Sequence, residues 1–94
     1  MALLSDADIE QRLAATDGWQ RSAGESIERE WRLKDFAAAI AFVDRVAEVA
    51  EAANHHPDIL LHGWNKVRLT LSTHSQGGLT EADFRVAAEI DRAA

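Results

Sequence analysis

The sequence has no cysteine and no tyrosine, one proline, one methionine and few basic residues. Without cysteine there can be no disulfide staple, no thiolate metal site and no thiol nucleophile. Lys and Arg together number 10 against 16 Asp and Glu, a formal net charge of −6. The chain therefore lacks the basic face with which a nucleic-acid binder neutralises phosphates, and the cationic excess that favours anionic membranes. No apolar run approaches the roughly 18 residues of a membrane-spanning helix. The opening Met-Ala-Leu-Leu turns acidic at Asp6, Asp8 and Glu10, which does not read as a signal peptide. The expectation is a cytoplasmic protein with neither a nucleic-acid nor a membrane partner.

What is present fits one domain spanning residues 1–94, with 47% apolar side chains to build a core. A domain this small buries only about 60–65% of its unfolded surface, so association with another copy would help it.

Ser5 followed by Asp8 reads as a capping box opening a helix, with Leu4 and Ile9 at staple spacing; Gly18 closes that segment. A short strand is expected at Trp19–Arg21, a turn at Ser22-Ala23-Gly24-Glu25, and a half-buried strand over 26–33. In that strand Ile27, Trp31 and Leu33 alternate with Glu28, Glu30 and Arg32, and Arg29 breaks the apolar side. Asp35 caps a second helix whose apolar face is expected at Phe36, Ile40, Val43, Ala47 and Ala50, widened by Ala39 and Val46. It exits near Ala53-Asn54. Ile59-Leu60-Leu61 is a short apolar run interrupted by Gly63. Residues 64–73 alternate best of all, with Val67, Leu69 and Leu71 inward. Thr73–Gly78 is a loop. Thr80 and Asp83 repeat the capping signature before a third helix, stapled by Leu79 and Phe84. The class is α+β with element order α-β-β-α-β-β-α: a four-stranded antiparallel sheet with helices packed on one face. Its open edges invite pairing with a second copy.

All four histidines fall between positions 55 and 74, and histidine is the side chain that exchanges protons near neutrality. His55 and His56 follow a helix end, and Pro57 forces His56 into extended backbone. Glu51 shares a face with His55 if the helix persists that far. A surface pair at a helix terminus accounts for the local pattern equally well. His74 ends the strongest strand, where a rigid element passes into a loop. Asp83 is first a capping carboxylate. His62 reads as structural or exposed, and Trp19, Trp31 and Trp64 as core or rim residues; Trp64 is a secondary choice as platform for a flat ring.

Taken in order, Glu51-x-x-x-His55-His56-Pro57, Trp64 followed by Asn-Lys-Val, Leu-Ser-Thr-His ending at His74, and Gly-Leu-Thr-Glu-x-Asp ending at Asp83 resemble the pterin-4a-carbinolamine dehydratase family. The resemblance implies an α+β fold and a 4a-hydroxytetrahydropterin substrate. Its products are quinonoid dihydropterin and water, in tetrahydropterin recycling. It implies no cofactor and no metal, and a homodimer or homotetramer. It assigns His55, His56 and His74 as catalytic histidines and Glu51 and Asp83 as supporting acids. Substrate contacts fall on His55, His56 and Pro57 and on Thr73, His74, Ser75 and Gln76. The chain departs from the animal members at Asn54, where they carry an acid. It also has six rather than five residues between Pro57 and the aromatic; the extra residue is expected in the His62-Gly63 turn, as a bulge.

Dehydration needs a proton delivered to the departing 4a-hydroxyl and one removed from ring nitrogen N5. The expected division is His55 supported by Glu51, and His74 near Asp83, moving protons while His56 binds the ring. This requires the imidazoles of His55 and His74 to converge on one hollow. Three other readings stand beside it: a metal-binding module on Glu51, His55, His56 and His74, a non-enzymatic dimerisation or interaction protein, and a retained fold serving another step of pterin or molybdenum-cofactor metabolism.

Overall fold

The computed structural model describes residues 2–23 and 25–94. The order is α1 (Asp6–Ala14), β1 (Gln20–Ser22), β2 (Ser26–Arg32), α2 (Phe36–Ala53), β3 (Asp58–His62), β4 (Lys66–Leu71), a one-turn 3₁₀ helix (His74–Gln76) and α3 (Glu81–Ala93). The strands form one antiparallel sheet, as the alternation implied, and the sheet order is β1-β2-β4-β3. The turn expected over Ser22–Glu25 includes Gly24, which lies outside the described residues. Among the described residues no helix is long and apolar enough to cross a membrane.

Directly paired residues of an antiparallel ladder share a face. Ile27 faces Leu71, Trp31 faces Val67, and Leu69 lies between Arg29 and Ile59. Ile27, Trp31, Val67, Leu69 and Leu71 meet Phe42 and Val46 of α2, Ile9 of α1, and Phe84, Val86 and Ile90 of α3 in a single core. The opposite face carries Glu28, Glu30, Arg68 and Thr70 in direct pairs and stays wet.

Arg29, which interrupts the inward row, is accommodated in three ways. Its guanidinium sits 4.7 Å above the Trp31 ring, donates to the Asp17 carbonyl at 3.0 Å, and pairs with Asp91 at 3.1 Å. Asp91 also accepts from Trp19 Nε1.

Three expectations change. First, α1 stops at Ala14 rather than at Gly18, because Ala15 and Thr16 donate three residues back and Thr16 Oγ1 takes the Arg12 carbonyl. Second, α2 is rotated from the expected face. Ala39, Phe42, Val46 and Ala50 are buried, while Phe36, Ile40 and Ala47 face outward. Third, the extra residue before Trp64 makes no bulge: β3 and β4 pair in one unbroken register from Asp58–Thr70 to His62–Lys66. It sits in the turn, as expected, where Gly63 and Trp64 both have positive φ.

Candidate active site

Two chain segments meet at one end of the sheet. Asp58 opens β3 directly beside Thr70 near the end of β4. Residues just before β3 (His55, His56, Pro57) and just after β4 (Thr73, His74) are therefore brought to the same end. A helix exit supplies the first segment. Asn54 caps α2 in the left-handed conformation (φ 51°) and its N–H closes onto Ala50 and Glu51 carbonyls. Asparagine tolerates that region where a branched residue does not, which suits Asn54 to this exit.

The left-handed residue also decides where the histidines point. Helical geometry ends at Ala53, so the expected Glu51–His55 pairing does not form. His56 Nε2 instead lies 2.5 Å from Glu51 Oε2, on the surface. His55 turns inward, and its Nε2 lies 2.7 Å from Asp83 Oδ1. Asp83 thus serves His55 and not His74, a second correction to the expected pairing.

Asp83 is fully buried (0% exposed) yet well satisfied. Its Oδ2 accepts from Thr73 Oγ1 at 2.8 Å and from the Thr80 N–H at 2.9 Å, completing the capping box of α3. Thr73 Oγ1 has one proton and gives it to Asp83. The 2.8 Å contact between the two threonine hydroxyls is therefore donated by Thr80. With Oδ2 occupied by two donors, Oδ1 is left to accept from His55 Nε2–H. The neutral ring then carries its lone pair on Nδ1, the atom available for proton transfer. Cap, strand end and histidine are locked as one unit.

His74 heads the 3₁₀ turn and is exposed. It is tied to the network only through its neighbour Thr73, whose N–H is held by the Gly78 carbonyl at 2.9 Å. Ser75 and Gln76 are exposed beside it. The histidines share one end of the sheet but line two different hollows. His55 lines a groove of about 630 Å³ between α2 and α3, with Val49, Ala52, Ala53, Ala82 and Val86. His74 lines a cleft of about 370 Å³ with Glu25, Asp58, Thr70 and Ser72. The single hollow expected for both rings is divided.

His55 and His56 aim Nε2 at carboxylates on different elements. No group of three or more His, Asp or Glu side chains among the described residues is placed to hold a metal ion. His62, near the other end of β3, bonds Glu30 at 2.7 Å. Trp64 is 61% exposed, against the expectation of core packing. It lies at the far end of the β3–β4 hairpin from the other three histidines, so within one chain it offers their site no platform.

The model of the pterin 4 alpha carbinolamine dehydratase family matches residues 2–93. The chain belongs to the pterin-4a-carbinolamine dehydratase family. A family member from Roseiflexus castenholzii, provisionally named as such a dehydratase, is 56% identical over 90 residues, covering 96% of this chain and 95% of its own. Another from Acidobacterium capsulatum is 53% identical over 91 residues, 97% of each chain. Among solved structures, a Brucella melitensis protein described as a transcriptional coactivator/pterin dehydratase superposes with a TM-score of 0.93 at 36% identity, over 99% of both chains. A pterin dehydratase-like protein described as a RuBisCO assembly factor in the alpha-carboxysome matches at TM-score 0.67 and 26% identity, over 80% of this chain and 87% of that one.

Beyond the residues singled out from the sequence as candidate site residues, the hydrogen-bonded network around His55 takes in Thr80. The Thr80-x-x-Asp83 spacing was legible as a cap; its tie to the Thr73 hydroxyl was not.

Proposed function

We propose that this chain dehydrates a 4a-hydroxytetrahydropterin to quinonoid dihydropterin and water. In that reaction the C4a–O bond breaks as the hydroxyl takes a proton and leaves as water. N5 gives up its proton, and the electron pair left behind forms the N5=C4a double bond. One proton enters and one leaves, so positioned acid–base groups suffice. Each is worth roughly 10²–10⁴-fold in rate.

The observation that carries this reading is the His55–Asp83 hydrogen bond of 2.7 Å to a fully buried carboxylate. It fixes the ring and its tautomer, as acid–base catalysis needs. His74 and the Glu51-paired His56 are the other two proton carriers; for His55 and His74 to act on one ring, the substrate must bridge the groove of the one and the cleft of the other. Pro57 and the Thr73, Ser75 and Gln76 segment border the substrate. The same proposal places the protein in the cytoplasm, in pterin recycling, as a homodimer or homotetramer. Of the two sheet edges, β1 has only three residues, whereas β3 has five and exposes Ile59 and Leu60. Copies would join through β3.

The test is turnover of freshly generated 4a-hydroxytetrahydropterin by the purified protein. Wild type should outrun the uncatalysed reaction, and a folded His55→Ala, His74→Ala double variant should not. Near-normal turnover by that variant ends the assignment.

A second reading, a non-enzymatic interaction protein, draws on the apolar surface left on α2 at Phe36 and Ile40. Absence of turnover in the well-folded wild type would favour it.

A further inference from the structure

The end of the sheet remote from His55, His56 and His74 has an unusual turn. Gly63 and Trp64 follow one another with φ of 55° and 61°. A turn with two positive φ values favours Asn or Gly at both places, and a bulky residue there is strained. Trp64 gains no core packing in return, being 61% exposed.

The surroundings of Trp64 are cationic in a chain of net charge −6. Arg32 faces Lys66 across β2 and β4. The pairing continues one step further, since the Leu33 N–H donates to the Asn65 carbonyl at 2.8 Å and Asn65 Nδ2 donates back to the Leu33 carbonyl at 2.9 Å. Lys34 follows Leu33 directly in the chain, as Trp64 directly precedes Asn65, and both are exposed. Lys66 reaches over the turn: a Cβ on Gly63 would stand 3.1 Å from its Nζ. Among the described residues none of these three cations has a carboxylate within ion-pair distance. The nearby acids are engaged elsewhere. Glu30 pairs with His62 and Arg68, and Asp35 accepts from the Ala38 N–H at 2.8 Å to cap α2.

We propose that the Trp64 turn, with Arg32, Lys34 and Lys66, is a docking surface for a short acidic segment of a partner protein, one that carries an apolar side chain between its carboxylates. An exposed tryptophan at a hairpin end that also carries unpaired cations has the composition of an interface anchor. Charge complementarity selects the acidic partner. A nucleic-acid strand, charged at every nucleotide, would run beyond three cations onto a surface of the same sign; a short peptide ends where the cations end. Within one chain the surface lies at the opposite end of the hairpin from His55, His56 and His74.

Fluorescence anisotropy on the full-length protein tests this. The probe is a short labelled peptide with glutamate pairs on either side of two leucines; the control has glutamine for each glutamate. Wild type should bind the acidic peptide and not the control, with affinity falling as salt rises. Lys34→Glu with Lys66→Glu, and separately Trp64→Gly, should each weaken binding about tenfold or more with dehydratase turnover unchanged. Trp64→Gly relieves strain, so it should melt no lower than wild type and loss of fold cannot mimic loss of binding. Equal binding of both peptides, binding unaffected by the substitutions, no binding by wild type, or preference for a single-stranded oligonucleotide each overturns the proposal. So does a change of oligomer mass in Trp64→Gly, which would make the turn a contact between copies.

Discussion

Asp83, buried without exposed surface in the first turn of α3, accepts a hydrogen bond from His55 Nε2 across 2.7 Å and 28 positions of sequence. The same carboxylate takes the Thr73 hydroxyl and the Thr80 N–H. Helix capping and histidine orientation are thus the work of one side chain, and they separate under mutation. Asp83→Asn should lower stability by about 1–3 kcal/mol through lost charge-assisted bonds, and turnover per folded molecule by roughly tenfold or more. Thr80→Val removes the cap hydroxyl but leaves the carboxylate beside His55. It should lower stability by about 1–2 kcal/mol and keep turnover within a few-fold. Urea denaturation and the dehydratase assay on both variants check the pair; parallel losses of turnover would mean that Asp83 acts through stability alone.

Gly18 has φ 86°, and a Cβ there would fall 2.6 Å from the Arg29 guanidinium. Arg29 cannot yield without giving up Asp17, Asp91 and the Trp31 face. Gly18→Ala should therefore cost about 1–3 kcal/mol, more than the usual penalty of a left-handed alanine alone. The urea midpoint gives the loss. An unchanged midpoint would mean that Arg29 is not held where its three partners place it.

The sheet and the order of elements were legible because strands with one wet face alternate cleanly, as β4 does from Lys66 to Leu71. The caps were legible because they are local: Ser5, Asp35 and Thr80 all stand where their spacing put them. The face of α2 was not. Phe36, Ala39, Ile40, Phe42, Val43, Val46 and Ala47 leave it apolar nearly all round, and periodicity cannot choose between two apolar stripes. The acid–histidine pairs were misassigned for a different reason. A single left-handed residue, Asn54, turned His55 off the helical face that Glu51 occupies, and no spacing rule carries that rotation. Trp64 was misread because burial of a tryptophan is a strong average and a poor guide in a hairpin turn.

Trp64 also makes a stability prediction apart from any partner. The left-handed region costs a bulky residue about 1–2 kcal/mol, part of which glycine returns as entropy of the unfolded chain. Trp64→Gly should raise unfolding stability by about 0.5–1 kcal/mol. A clear loss in the urea midpoint would show that the indole packs well enough to offset its strained backbone.

The edge strand offers a test of assembly. Ile59 and Leu60 are exposed on β3, whose outer hydrogen-bonding groups have no neighbour strand. Charges on an edge block strand addition. Ile59→Lys with Leu60→Lys should lower the mass seen by light scattering to that of one chain, with the monomer's fold retained by circular dichroism. A mass unchanged from that of an oligomeric wild type would move the interface to the exposed α2 residues Phe36 and Ile40, and a monomeric wild type would remove the expectation altogether.

On the wet face, Glu30 is held below the ordinary carboxylate range, first by its hydrogen bond to His62 and then by the charge of Arg68. A depressed folded-state pKa adds stability above the unfolded value, about 4.3 for Glu, and that stability is lost as pH falls through the folded value. The loss should therefore begin just below the ordinary carboxylate range and continue to the depressed pKa. His62→Gln removes the larger cause, so the Glu30 pKa should rise toward the ordinary value without reaching it, because Arg68 remains. Carboxyl carbon shifts followed by NMR from neutral pH downward give both values directly. No rise on His62→Gln would make Arg68 the dominant partner, and the cross-sheet contact from β3 to β2 would then contribute nothing to acid resistance.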